Sequence, residues 1–134
     1  MDKKILRDTI VAVLDKMYEK AETMGIQGVA VASVLNSGEE NDWIGEMKVV
    51  GEPCNIKENW NLVAIAWSKA REVIASGKDS GDSTREKMLG ELCFTGGAYG
   101  EHKGCKLAFA FSGATSEEDY EVAKYGIQIF QLMA

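Results

Sequence analysis

What this chain lacks narrows its function first. It has a single histidine and three cysteines, and 15 lysines and arginines stand against 21 aspartates and glutamates, giving a formal net charge of -6. Phosphate-backbone or anionic-membrane binding needs clustered cations, and here the cations are scattered in ones and twos, so neither nucleic acid nor a membrane surface is expected as a partner. Cys54, Cys93 and Cys105 are odd in number and lack C-x-x-C spacing, which gives neither a disulfide framework nor a zinc knuckle. They are read as free thiols. No apolar run approaches the roughly 18 residues that span a bilayer, and the opening Met-Asp-Lys-Lys-Ile-Leu-Arg leads into helical periodicity instead of a cleavable leader. The expected location is cytoplasmic. Ser112 lies outside any G-x-S-x-G elbow, no histidine is spaced to serve it as base, and no EF-hand pattern organises the acidic residues. No catalytic residue is assigned, and no metal ligand set is defined.

What is present is a core. Apolar residues make up 46% of the 134 positions, enough for residues 1–134 to fold as a single domain. The organising stretch runs from Gly104 to Ala134. Cys105 to Phe111 is short, apolar and aromatic, as a buried strand requires. Thr115 with Glu118 forms a capping box, in which each side chain satisfies a backbone N–H of the other, so a helix is expected to start at about Ser116. Val122, Ala123, Gly126, Ile127, Phe130 and Met133 then fall on one face, with Glu117, Glu121, Lys124 and Gln128 mostly opposite.

Earlier in the chain, Asp2 caps a first helix carrying Leu6, Ile10, Val13, Leu14, Met17, Tyr18, Ala21 and Met24, and Gly25 stops it. Gly28 to Leu35 alternates valine with small residues and suits a central strand. A polar turn over Asn36 to Asn41 leads to a second, alternating strand from Asp42 to Val50, which should pair with the first as a hairpin. A second helix is expected over about Glu58 to Ser76, with Leu62, Val63, Ala66, Ala70, Val73 and Ile74 inward and Gly77 closing it. Ser83 with Glu86 repeats the capping-box pattern and predicts a short helix ending at Gly90. Leu92, Phe94 and a Thr95-to-Gly100 loop follow, with Glu101 to Gly104 as the turn into the last strand. This order describes an α+β domain, a mainly antiparallel sheet carrying helices.

Several of these segments carry a family likeness. The small-and-valine strand Val29 to Val34, the helix segment Ala64-Ile65-Ala66-Trp67-Ser68-Lys69-Ala70-Arg71, the Gly96-Gly97 loop and the ending Phe111-Ser112-Gly113-Ala114-Thr115-Ser116-Glu117-Glu118-Asp119 resemble the GlcG/HbpS-like proteins. That family includes PduO C-terminal-type domains. Its usual Asp-x-x-Gly turn appears here as Asn36-Ser37-Gly38, and Ala114 stands where a second glycine is common. The resemblance implies a profilin-like fold with flanking helices, assembly as a homo-oligomer, and a non-enzymatic role binding haem, another tetrapyrrole or a different small molecule as an accessory or sensor module. The alternatives are an enzyme of small-molecule metabolism with its site at a subunit interface, and a structural accessory protein with no ligand.

The residues proposed to meet such a ligand are Thr95, Gly96, Gly97 and His102. Glycine lets backbone approach a ligand closely, and His102 is the one imidazole that could reach haem iron. Its place between Glu101 and Lys103 in an expected turn also suits a solvated side chain. Trp43, Trp60 and Trp67 could line an aromatic pocket, although at strand and helical spacing they also suit core or subunit contacts. The tryptophans and the alternating Trp43-to-Val49 face exceed what a small sheet readily buries, which is the second reason to expect a homo-oligomer.

Overall fold

The protein, described here from a computed structural model, is defined over residues 2–36, 41–52 and 60–134. Helix α1 spans Lys3–Met24, strands β1 and β2 span Gly28–Leu35 and Trp43–Val50, helix α2 spans Leu62–Ser76, strands β3 and β4 span Gly97–His102 and Cys105–Ser112, and helix α3 spans Ser116–Met133. The strands form one antiparallel sheet in the order β2-β1-β4-β3. This is the expected α+β arrangement, with α1 and α3 packed on one face and α2 on the other.

The alternation of side chains in β1 and β4 builds both faces at once. Toward α1 and α3, Ala30 and Ala32 of β1 lie opposite Phe111 and Phe109 of β4. Toward α2, Val31 lies opposite Ala110. Small against large across the central pair keeps each layer even, and both strands are buried along almost their whole length.

The helices end as their sequences direct. Asp2 accepts from the backbone N–H groups of Lys4 and Ile5, and Gly25 closes α1 in the left-handed conformation. The Thr115–Glu118 capping box forms in both directions. Three expectations shift. Helix α2 begins at Leu62, capped by the Asn61 side chain, so Trp60 precedes it and is half-exposed instead of extending its face. Met133 is exposed at the end of α3. Residues 83–90 form no helix: both the backbone N–H and the hydroxyl of Thr84 donate to Asp82 Oδ1, and this local turn competes with the helical start that Ser83 and Glu86 suggested.

The segment between α2 and β3 is instead a loop fastened to α2. Ser68 Oγ donates to Gly90 O and accepts from Leu92 N, Gly81 N donates to Glu72, and Arg85 pairs with Glu91. Residues 97–102 extend the sheet where a loop and turn were expected. The turn into β4 is only Lys103-Gly104, both with positive φ, which matches a two-residue hairpin of primed type. Most of the turn expected over Asn36 to Asn41, and Pro53 to Asn59 with Cys54 and Glu58, lie outside the described residues.

Candidate functional site

At the end of the sheet where β4 runs into α3, a cleft of ≈ 360 Å³ opens between α2, the first turn of α3 and the strand-entry segment before β3. Its volume is in the range of small-molecule sites, roughly 300–1,000 Å³. Leu62 and Ile65 of α2 form an apolar wall, and Trp60 and Phe94 line it too, their rings 5.8 Å apart at 42°. Thr95 and Ser116 add exposed hydroxyls.

Two charged residues complete the lining, Lys69 from the middle of α2 and Asp119 from the first turns of α3. Their side chains are only 3% and 6% exposed, and Lys69 Nζ lies 3.0 Å from Asp119 Oδ2. The same ammonium donates to Phe111 O at 2.7 Å. Asp119 Oδ1 accepts from Ala114 N at 2.9 Å, so one carboxylate ties α2 to the turn that joins β4 to α3.

Burial acts against both charges. It pushes the Asp119 carboxyl above the ordinary aspartate value, opposed by the Lys69 ammonium and by the N–H groups of Ala114 and Gly113. It pulls the Lys69 amine below the ordinary lysine value, opposed by Asp119. The mutual hydrogen bond and attraction are what let the pair stay inside at all.

Gly96 is part of the same construction. Its φ is +129°, and a Cβ there would lie 2.6 Å from Lys69 Nζ and 2.9 Å from both Asp119 Cβ and Phe111 O. No side chain fits between this backbone and the ion pair. Gly97 N in turn donates to Ser80 Oγ, which donates to Phe94 O, so the segment carrying Phe94 and Thr95 is held in place.

Two of the lining residues carry donor groups with no partner among the described residues. Lys69 spends one N–H on Asp119 and one on Phe111, and the third has no partner among the described residues. Ser112, the last residue of β4, is 3% exposed and lines the cleft, and its hydroxyl is likewise unpartnered among the described residues.

No family model matches this sequence, and no curated protein matches it either. Solved structures do. Protein ORFY of Klebsiella pneumoniae, described under the family model DUF336, aligns with a TM-score of 0.61 at 15% identity, covering 96% of this chain and 89% of its own. PduOC, solved as a complex with haem, aligns with a TM-score of 0.61 at 16% identity, covering 89% of this chain and 90% of its own. The chain shares their fold. The likeness supports, at the level of fold, the GlcG/PduO-C-like resemblance carried by the sequence motifs.

The residues proposed from sequence fall at two separate places. Thr95 lines the cleft, Gly96 packs on the ion pair behind it, and Gly97 starts β3. His102 ends β3, roughly 17 Å further along the strand at ~3.3 Å per residue. It is half-buried there, its ring edge-on to Phe130 at 6.0 Å and its Nε2 3.0 Å from the Ala134 oxygen. The expected solvated turn is therefore a packed strand end.

Trp43 and Trp67 are half-buried against the α2 side of the sheet, and only Trp60 reaches the cleft. Cys105 is buried and donates to Asn36, while Cys93 is half-buried in the loop with its thiol held up in pKa by burial and by neighbouring Glu72. Among the described residues no group of three or more His, Cys, Asp or Glu could hold a metal ion. No helix among them is long and apolar enough to cross a membrane.

Sequence reasoning missed Lys69, Asp119 and Ser112. The signal was there for the pair: a lysine among Ala66, Ala70 and Val73, and an aspartate one turn before Val122 and Ala123, each set on the apolar side of its helix.

Proposed function

We propose that this protein is a non-enzymatic binding module for a small molecule, held in the cleft over Lys69 and Asp119, and that it works as a homo-oligomeric accessory or sensor. The observation carrying this reading is a cleft lined by Lys69 and Ser112, each with a hydrogen-bond donor that has no partner among the described residues, and by the apolar and aromatic side chains of Leu62, Ile65, Trp60 and Phe94. That combination of apolar walls and a few fixed polar groups is typical of ligand sites. Among the described lining residues no histidine stands beside Ser112 or Ser116, and the one amine, Lys69, is paired with Asp119 and so is not a free base.

Haem, the ligand that the family resemblance implies, does not suit the cleft as an iron site. Among the described residues no histidine, cysteine, methionine or tyrosine lines the cleft, and the Lys69 amine is taken up by Asp119. A second reading, haem held through His102, draws support from the haem complex of PduOC, and on this chain it would use a different part of the molecule from the cleft.

Thermal melting separates these readings, because a ligand specific for the native state must raise the melting temperature. The cleft-filling variant Ser116→Trp changes an exposed position at the rim. With a panel of small metabolites and haemin, the expected result is a rise of several degrees for at least one compound in the wild type, absent in Ser116→Trp and kept in His102→Ala. Haemin binding with a Soret band that is lost in His102→Ala and kept in Ser116→Trp would replace the first reading by the second. A panel without any shift leaves the structural, ligand-free role.

A further inference from the structure

If the cleft is the ligand site, as proposed above, its floor also constrains what the ligand can be.

Lys69 and Asp119 together carry no net charge, and both are buried. An added carboxylate would leave the floor with one uncompensated negative charge in a poorly solvated place, which disfavours it strongly. The first turn of α3 offers little in return. A helix N-terminus favours an anion only weakly, and Glu117, Glu118 and Asp119 already place carboxylates in that turn. A cation fares no better, because the one anionic group of the floor, Asp119, is already held by Lys69. Among the described residues, what the floor has left is donation from the Lys69 ammonium and the Ser112 hydroxyl, which can donate or accept.

Far apart in the chain, the two donors are brought together by the fold: Lys69 Nζ holds the carbonyl oxygen of Phe111, the residue that precedes Ser112. Above them the lining is Leu62 and Ile65 on one side with Trp60 and Phe94 at the mouth, surfaces that favour a flat apolar body.

We infer that the cleft recognises a flat, uncharged molecule by a carbonyl-type oxygen that accepts from Lys69 Nζ and Ser112 Oγ, and that it discriminates against the corresponding carboxylate.

The test uses a matched pair of probes, 2-naphthamide and 2-naphthoate, similar in shape and different in charge. Titration calorimetry on the wild type should give binding of the amide at least tenfold tighter than of the carboxylate. Ser112→Ala should raise the Kd of the amide about three- to tenfold, the loss of one hydrogen bond, while its urea midpoint stays within error of the wild type. Equal or tighter binding of 2-naphthoate overturns the inference, and so does an amide affinity indifferent to Ser112→Ala. Binding of neither probe also overturns it; in that case another compound whose stabilisation disappears in Ser116→Trp keeps the cleft as the ligand site, whereas no compound sensitive to Ser116→Trp removes the site itself.

Discussion

Lys69 and Asp119 occupy positions where their helices otherwise place apolar side chains, and each is tolerable only because the other is there. Replacing one leaves the other charged and buried, for which a loss of about 3–5 kcal/mol is typical. Lys69→Met should therefore lower urea-unfolding stability by that order, and adding Asp119→Leu should restore part of it. Restoration is partial because Ala114 N then loses its acceptor. A double variant no more stable than the single one would mean that the pair is not coupled.

The acid limb of stability reports on the same residue. The folded-state pKa of Asp119 is raised by burial above the ordinary aspartate value. The native state then binds its proton more readily than the unfolded chain does, so this contribution is fully present below the unfolded pKa and is lost as the pH rises through the folded one. The stability of the wild type relative to Asp119→Asn should fall as the pH is raised through the carboxylate range. An increase would show that attraction to Lys69 outweighs desolvation.

At the level of elements, α3 and the sheet are fitted to each other around Gly126. A Cβ there would lie 2.7 Å from Met17 Sδ and 2.7 Å from Phe109 Cδ2. Met17 can yield, but Phe109 is fully buried and packed edge-on against Phe130. Glycine to alanine in a helix ordinarily gains up to about 1 kcal/mol, whereas overpacking costs roughly 1–3 kcal/mol. Gly126→Ala should come out destabilised in urea unfolding, and a stabilised variant would show that the α1–α3 layer has slack.

Strand β3 is at the edge of the sheet and is managed as one. Gly97 O accepts from Ser80 N, Tyr99 N donates to Asp79 Oδ1, and Glu101 O accepts from Gln131. Sheet extension by a partner strand would have to displace all three. The two capping-box patterns show what local sequence can and cannot decide. Thr115–Glu118 starts a helix because an apolar stripe from Val122 to Phe130 follows it and finds the sheet and α1. Ser83–Glu86 has no such stripe behind it, only exposed Met88 and Leu89, and tertiary anchoring of the loop through Ser68 and Glu72 prevails.

For the whole molecule, the proposed assembly has a surface to argue from. Trp60, Met88, Leu89, Leu92 and Phe94 are all exposed, on the loop over α2 and at the cleft mouth, and Leu89 is fully so. Light scattering should give a multiple of the chain mass, and Leu89→Glu should reduce it without altering the circular dichroism spectrum. A wild-type monomer at working concentration would remove the assembly from the proposal.

Hydrophobic periodicity and caps are enough to determine most of the elements: α1, β1 and α3 follow directly from residue spacing, because short-range sterics and amphipathicity act within one segment. They also determine the class of the fold, since the central strand pair could only be covered by helices on both faces. The cleft is decided by the tertiary structure. Lys69, Ser112 and Asp119 lie on three different elements; Ser112 reads locally as an ordinary strand-end residue, and Lys69 and Asp119 stand out only as charges on the apolar sides of their helices, with nothing in the sequence to pair them. The antiparallel return of β4 beside β1, with α2 and the start of α3 meeting at one end, is what brings an ammonium, a hydroxyl and a carboxylate together out of water, and only that removal from water turns them into a site.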